Sequence, residues 1–154
     1  GLYGSVEFDT ADAGLQNVLS LHVPILKIRD VKQGETVGYG CDFIAQRDSQ
    51  VAILGIGYAD GIFRHLGDLE NKPASATVAL EGQMLPLIGR ISMDLTTIDV
   101  TDFNGKLEKG MMVELIGENI KLADFAKKAN SISYELLTRL GTRYKRYYKQ
   151  SYKP

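Results

Sequence analysis

Tyr39 stands between two glycines in Val37-Gly38-Tyr39-Gly40-Cys41-Asp42-Phe43. Glycine has no Cβ, so the backbone on either side can turn tightly or be approached closely. A phenol held there projects from a constrained backbone, which suits a group that must be aimed. Taken alone, a tyrosine so placed is more often a turn residue that fills core and bonds a backbone carbonyl. Gly57-Tyr58-Ala59-Asp60-Gly61 ends an apolar run, Val51 to Ile56, and reads locally as turn chemistry around Asp60-Gly61. In Gly89-Arg90-Ile91-Ser92-Met93-Asp94, Arg90 and Asp94 share strand parity. They form either a surface ion pair worth little or the lining of a polar cavity. Tyr134 follows Ser131 and Ser133 at the expected start of a helix. Free N–H groups and the positive dipole end there favour an anion such as phosphate. The alternative is a tyrosine packed under the helix end.

The stretch from Arg139 to Lys153 carries Arg139, Arg143, Lys145, Arg146, Lys149 and Lys153, with Tyr144, Tyr147, Tyr148 and Tyr152 interleaved and no acid. Basic residues with aromatics resemble nucleic-acid-binding surfaces. The body of the chain is slightly acidic, which argues against nucleic acid as the partner. His22 and His65 lie far apart without metal-ligand spacing, so no metal site is expected. No phosphate-cradling glycine run leads from a strand into a helix, and no serine sits in a nucleophile elbow.

The elements that must position these residues are mostly strands. Leu21, Val23 and Ile25 alternate with His22 and Pro24; the phase then slips, as Leu26 and Ile28 take over the apolar face. A one-residue slip within a strand is what a β-bulge produces. Lys32-Gln33-Gly34 reads as a turn, and Thr77–Leu80, Glu81-Gly82 and Met84–Ile88 read as a hairpin. A second slip is expected where Ile91, Met93 and Leu95 give way to Ile98 and Val100. Asn104-Gly105 and Lys109-Gly110 precede a strand over Met111–Ile116. Helix comes late: Leu122, Phe125, Ala126 and Ala129 make a helical stripe. Asn130 ends it, and Ser131 or Ser133 is expected to cap a second helix carrying Leu136, Leu137 and Leu140. The fold expected is mainly β, a small Greek-key-like barrel with bulged strands and two short helices near residues 121–140, residues 1–154 forming one domain.

The chain has 154 residues, 44% hydrophobic and 24% charged, with a net charge of −1. That is enough to bury a core, and no global field would gather nucleic acid or anionic membrane. Cys41 is the single cysteine, which excludes an internal disulfide and points to a reducing compartment. No apolar run approaches the length of a membrane span, so a cytoplasmic location is expected. The opening Gly1-Leu2-Tyr3-Gly4 reads as the middle of a structured segment, as in a fragment.

Gly38-Tyr39-Gly40, Gly57-Tyr58-Ala59-Asp60-Gly61, Gly89-Arg90-Ile91-Ser92-Met93-Asp94 and Ser133-Tyr134-Glu135, in this order and at these spacings, resemble the C-terminal domain of alanine racemases. The resemblance runs over essentially the whole chain. Leu2-Tyr3-Gly4 is similar to the segment where that family's chain leaves its N-terminal barrel, and Arg143–Tyr148 to its closing strand.

The resemblance implies an interconversion of L- and D-alanine in bacteria on pyridoxal 5'-phosphate, held as a Schiff base by a lysine of an N-terminal (β/α)8 barrel. Two chains pair head to tail, and each active site takes residues from the partner's C-terminal domain. Tyr39 matches the tyrosine that serves as one of two bases, opposite the lysine. Met93 matches the residue whose backbone N–H meets the substrate carboxylate, and Tyr134 the tyrosine that bonds the cofactor phosphate. Tyr58, Arg64, Arg90, Asp94 and Ile132 match the walls of the substrate entryway. Two opposed groups give each direction of proton transfer its own acid and base, and the cofactor delocalises the carbanion. A phenol ordinarily ionises near pH ~10, so a tyrosine base needs perturbing neighbours, which in the family come from the barrel domain.

Lys27, Lys32 and Lys72 match no Schiff-base position, so this chain alone is expected neither to racemise alanine nor to bind the cofactor tightly. Serine or another small amino acid stays open as substrate. The alternatives are a pyridoxal-phosphate decarboxylase, which shares the two-domain plan, and a non-catalytic module that binds a partner or nucleic acid through its basic, tyrosine-rich tail. Met93-Asp94 and Gly38-Tyr39-Gly40 argue against the decarboxylase.

Overall fold

The computed structural model describes residues 18–67 and 74–148. Its strands are β1 (Leu21–Val31), β2 (Thr36–Val37), β3 (Phe43–Ile44), β4 (Ser49–Leu54), β5 (Thr77–Leu80), β6 (Gln83–Ile88), β7 (Thr96–Asp99) and β8 (Met112–Ile116). Helices α1 (Leu122–Lys128) and α2 (Ser133–Arg139) follow, and single 3-10 turns cover Tyr58–Asp60 and Arg64–Leu66. Six strands close an antiparallel barrel in the order β1-β4-β7-β6-β5-β8, while β2 and β3 make a separate two-stranded arm. β5, β6 and β7 follow one another around the wall, and β8 returns to lie beside β5, which is the Greek-key pattern.

β1 is the corner of the barrel. Leu21–Pro24 pair with β8 and Ile25–Val31 with β4, and the register shifts between Ile25 and Lys27. The extra residue is Leu26, which is 40% exposed rather than turned into the core as its parity suggested. It bends the strand so that one element serves two walls. Ile25, Leu54, Ile56, Val78, Ile98 and Ile116 fill the interior with essentially no exposure, each worth about 1.5–3 kcal/mol of burial. Phe125, Ala126 and Leu136 carry α1 and α2 onto the same core. A smaller cluster of Val31, Val37, Ala45, Val51 and Ile88 packs the β2–β3 arm against the barrel.

The turn at Glu81-Gly82 is as expected, with φ of 50° and 82° at the two positions, the left-handed pair that matches strand twist. Other expectations are corrected. Residues 89–95 form a loop, not a bulged strand, because Tyr58 N donates to Ser92 O and Ala59 N to Met93 O in place of a ladder. Ile132, not Ser131 or Ser133, caps α2, and no side chain bonds the cap; Ser131 Oγ instead donates to the Glu135 carboxylate. Arg143–Tyr148 is not a strand. Leu2-Tyr3-Gly4, Lys72, Lys149, Tyr152 and Lys153 lie outside the described residues.

Candidate active-site face

Antiparallel pairing puts the end of β4, the start of β7 and the end of β8 at one end of the barrel. The segments that carry the candidate residues, 55–66, 89–95 and 131–144, therefore emerge together. The β2–β3 arm crosses the barrel flank and delivers its tip, residues 38–42, to the same loops. At Gly38 the contact is backbone to backbone, since a Cβ there would lie 2.8 Å from Arg90 N, whereas Gly40 faces the Arg90 side chain, with Cζ 3.4 Å from where a Cβ would stand. Both glycines also hold positive φ, 86° and 91°. Gly38 is thus required by its close approach to Arg90 as well as by its φ, and Gly40 by its φ.

Arg90 donates from Nε and Nη2 to Asp42 Oδ2. Asp94 is held by Arg143 instead, with Nη2 2.6 Å from its Oδ1. The expected Arg90–Asp94 relation is therefore replaced by two pairs with distant partners. Arg143 also places Nε 3.3 Å from Asp60 Oδ1. Asp60 is buried, and its other oxygen accepts the Gly57 N–H at 2.9 Å. Tyr144 donates its hydroxyl to the Asp60 carbonyl at 2.6 Å. Burial first, and then the negative charge of Asp60, raises the Tyr144 phenol above its ordinary range. Arg139 Nε donates to the Gly61 carbonyl and its guanidinium covers the Phe63 ring, joining α2 to the same turn. His65 Nε2 donates to Ala129 O, a link between the 3-10 turn and α1.

The sequence-predicted residues sit on this braced frame with their side chains facing out. Tyr39 is 78% exposed, Met93 54%, Ile132 50%, Tyr134 40% and Tyr58 38%, and Arg64 and Asp94 are exposed as well. Arg90 is half-buried in its pair. Among the described residues none bonds the hydroxyl of Tyr39, Tyr58 or Tyr134. Asp42, Asp60, Arg143 and Tyr144 do the bracing and were not singled out as site residues by the sequence. Only the three-residue spacing of Gly57 and Asp60 carried a local signal for one of them. With Arg143 and Tyr144 committed to Asp60, and Arg146 to the carbonyls of Leu140 and Gly141, much of the basic tail is engaged internally.

The profile described as "Alanine racemase, C-terminal domain" matches residues 18–148. The chain belongs to the alanine racemase C-terminal domain family. An alanine racemase of Acidiphilium cryptum is 43% identical over 145 residues, covering 94% of this chain and 39% of that protein. The alanine racemase of Bartonella henselae, solved with covalently bound pyridoxal phosphate, superposes with a TM-score of 0.78 at 41% identity, covering 84% of this chain and 34% of that one. The biosynthetic alanine racemase of Pseudomonas aeruginosa gives a TM-score of 0.83 at 34% identity, over 97% of this chain and 40% of that one. The chain thus spans about two fifths or less of these alanine racemases. Tyr134, the second residue of α2, is 40% exposed beside the first turn, where the Glu135 carboxylate accepts from Ser131 Oγ.

Proposed function

We propose that this chain is the C-terminal part of a cytoplasmic, pyridoxal-phosphate-dependent alanine racemase, acting as one domain that completes an active site shared with an N-terminal barrel domain and the second subunit of a homodimer. The observation that carries this reading is the exposed set Tyr39, Tyr58, Met93, Ile132 and Tyr134, of which the segments of Tyr39, Tyr58 and Met93 are held by close backbone packing at Gly38 and Gly57 and Tyr134 stands on α2. A rigid half-site with solvent-facing aromatics is complementary to a covering surface, and the family supplies the class of that surface.

Each residue has a physical task in this reading. Tyr39 removes or returns the proton on one face of the substrate Cα, and its exposed hydroxyl, which bonds no described residue, is available to meet it. The Met93 N–H holds the substrate carboxylate, and the Tyr134 hydroxyl holds the cofactor phosphate. Tyr58, Arg64, Arg90, Asp94 and Ile132 line the approach and admit only small amino acids. The cofactor, when bound, takes up the electron pair left on Cα.

The test is Cα proton exchange of L- and D-alanine in D₂O with pyridoxal phosphate present, for this chain alone and mixed with the N-terminal half of the same protein. Exchange in the mixture only, suppressed for the L isomer by Tyr39→Phe, is the expected result. Steady turnover by the isolated chain would refute its dependence on a barrel half. Absence of exchange in a mixture shown to associate would refute the racemase reading.

A further inference from the structure

Asp42 lies three residues beyond Tyr39 and has no role in the reading above. Its side chain is 16% exposed and that of Arg90 19%, so the pair they form is largely dry. The two residues are 48 positions apart. Among the described residues, this pair is the side-chain tether between the Tyr39 loop and residues 89–95, the loop that carries Met93. Gly38 packs closely on the Arg90 backbone, whereas Gly40 faces the guanidinium, which would stand 3.4 Å from a Cβ there, so the outer half of the loop relies on the Arg90 side chain. Tyr39 itself is 78% exposed and makes no hydrogen bond to a described residue through its hydroxyl. The direction of the phenol is therefore set by the loop, and the loop is tied down by the carboxylate at its end.

We infer that Asp42 is a positioning residue for Tyr39, acting through Arg90 to fix where the phenol meets the substrate Cα. The inference rests on the proposed role of Tyr39 as a base. Removing the Asp42 charge leaves Arg90 half-buried without its partner. Arg90 must then turn towards water, which removes its contact with Gly40 and frees the loop. A reacting group misplaced by about 1 Å can cost about a hundredfold in rate. Because Tyr39 serves one face of Cα, that loss falls on one isomer.

The experiment uses the full-length, cofactor-loaded racemase and follows Cα deuterium incorporation into L- and D-alanine separately. Tyr39→Phe is the control and should suppress exchange of the L isomer selectively. Asp42→Asn, which keeps the side-chain shape, should show the same bias with about a tenfold or greater loss for the L isomer. On an Arg90→Gln background it should add less than about twofold. Amide hydrogen exchange across residues 38–43 should speed up in Asp42→Asn, and Asp42→Glu should restore much of the protection. If Tyr39→Phe is not isomer-selective, the role given to Tyr39 fails. If it is selective and Asp42→Asn slows both isomers equally, leaves both unchanged, or keeps its full effect without Arg90, the inference about Asp42 is overturned.

Discussion

Gly57 lies against the Met93 carbonyl: a Cβ on Gly57 would stand 2.3 Å from that oxygen and 2.4 Å from the Ser92 oxygen. The N–H groups of Tyr58 and Ala59 donate to the same two carbonyls, at 3.1 and 3.0 Å. The loop that carries Met93 is thus seated on the turn that carries Tyr58, with no room for a side chain between them. Gly57→Ala should destabilise the fold by about 1–3 kcal/mol, since backbone atoms must move. Gly141→Ala, where a Cβ meets nothing within 4 Å, should be near neutral. Urea unfolding midpoints of the two variants check this, and equal midpoints would contradict the close packing.

Asp60 should matter more than the surface charges around it. It is buried, and its carboxylate satisfies the Gly57 N–H. Asp60→Ala leaves that donor unpaired and should cost about 1–3 kcal/mol. Thermal unfolding with and without the substitution measures it, and an unchanged midpoint would remove Asp60 from the bracing described.

Glu114, buried on β8, carries an acid-side prediction. Burial by itself raises its carboxyl, but the N–H groups of Ile120 and Asn119 and the Asn119 amide outweigh this and leave it below its ordinary value of 4.5. A carboxyl depressed in the folded state contributes stability that is complete above the unfolded pKa and is lost as pH falls through the folded one. Stability should therefore fall as pH drops below about 4.5, and Glu114→Gln should flatten that fall while costing about 1 kcal/mol at neutral pH. Denaturant titrations at a series of pH values decide it; parallel curves for both proteins would contradict the role of Glu114.

Tyr144 gives the alkaline counterpart. Its phenol is raised by burial and by Asp60, so its contribution is complete below the unfolded value near 10 and is lost as pH rises through the folded one. Tyr144→Phe should cost about 0.5–1.5 kcal/mol at neutral pH through the lost bond to the Asp60 carbonyl. It should also lessen destabilisation above about pH 10. A variant that unfolds in alkali as the parent does would contradict this.

Tyr39→Phe should leave stability within about 0.5 kcal/mol, because the ring is 78% exposed and its hydroxyl has no described partner. A large loss of stability would mean that Tyr39 is a structural residue.

What the sequence determined by itself is what depends on near neighbours. The turn at Glu81-Gly82 needs left-handed φ, the helices α1 and α2 show in the spacing of Phe125, Ala126 and Leu136, and the bulge in β1 shows in the slip between Ile25 and Ile28. The positive φ at Gly38 and Gly40 on either side of Tyr39 was legible too, because glycine marks such backbone. Pairing across the molecule was not. Arg90 shares parity with Asp94 yet bonds Asp42, and Asp94 is taken by Arg143, 49 residues away. Parity governs partners only where a strand exists, and residues 89–95 are a loop because Gly57 lets that segment settle on the neighbouring turn. Closing the barrel in the order β1-β4-β7-β6-β5-β8 brings distant loops to one end. Once there, charges pair with whatever carboxylate or guanidinium lies within reach, a choice set by tertiary packing and not by spacing along the chain.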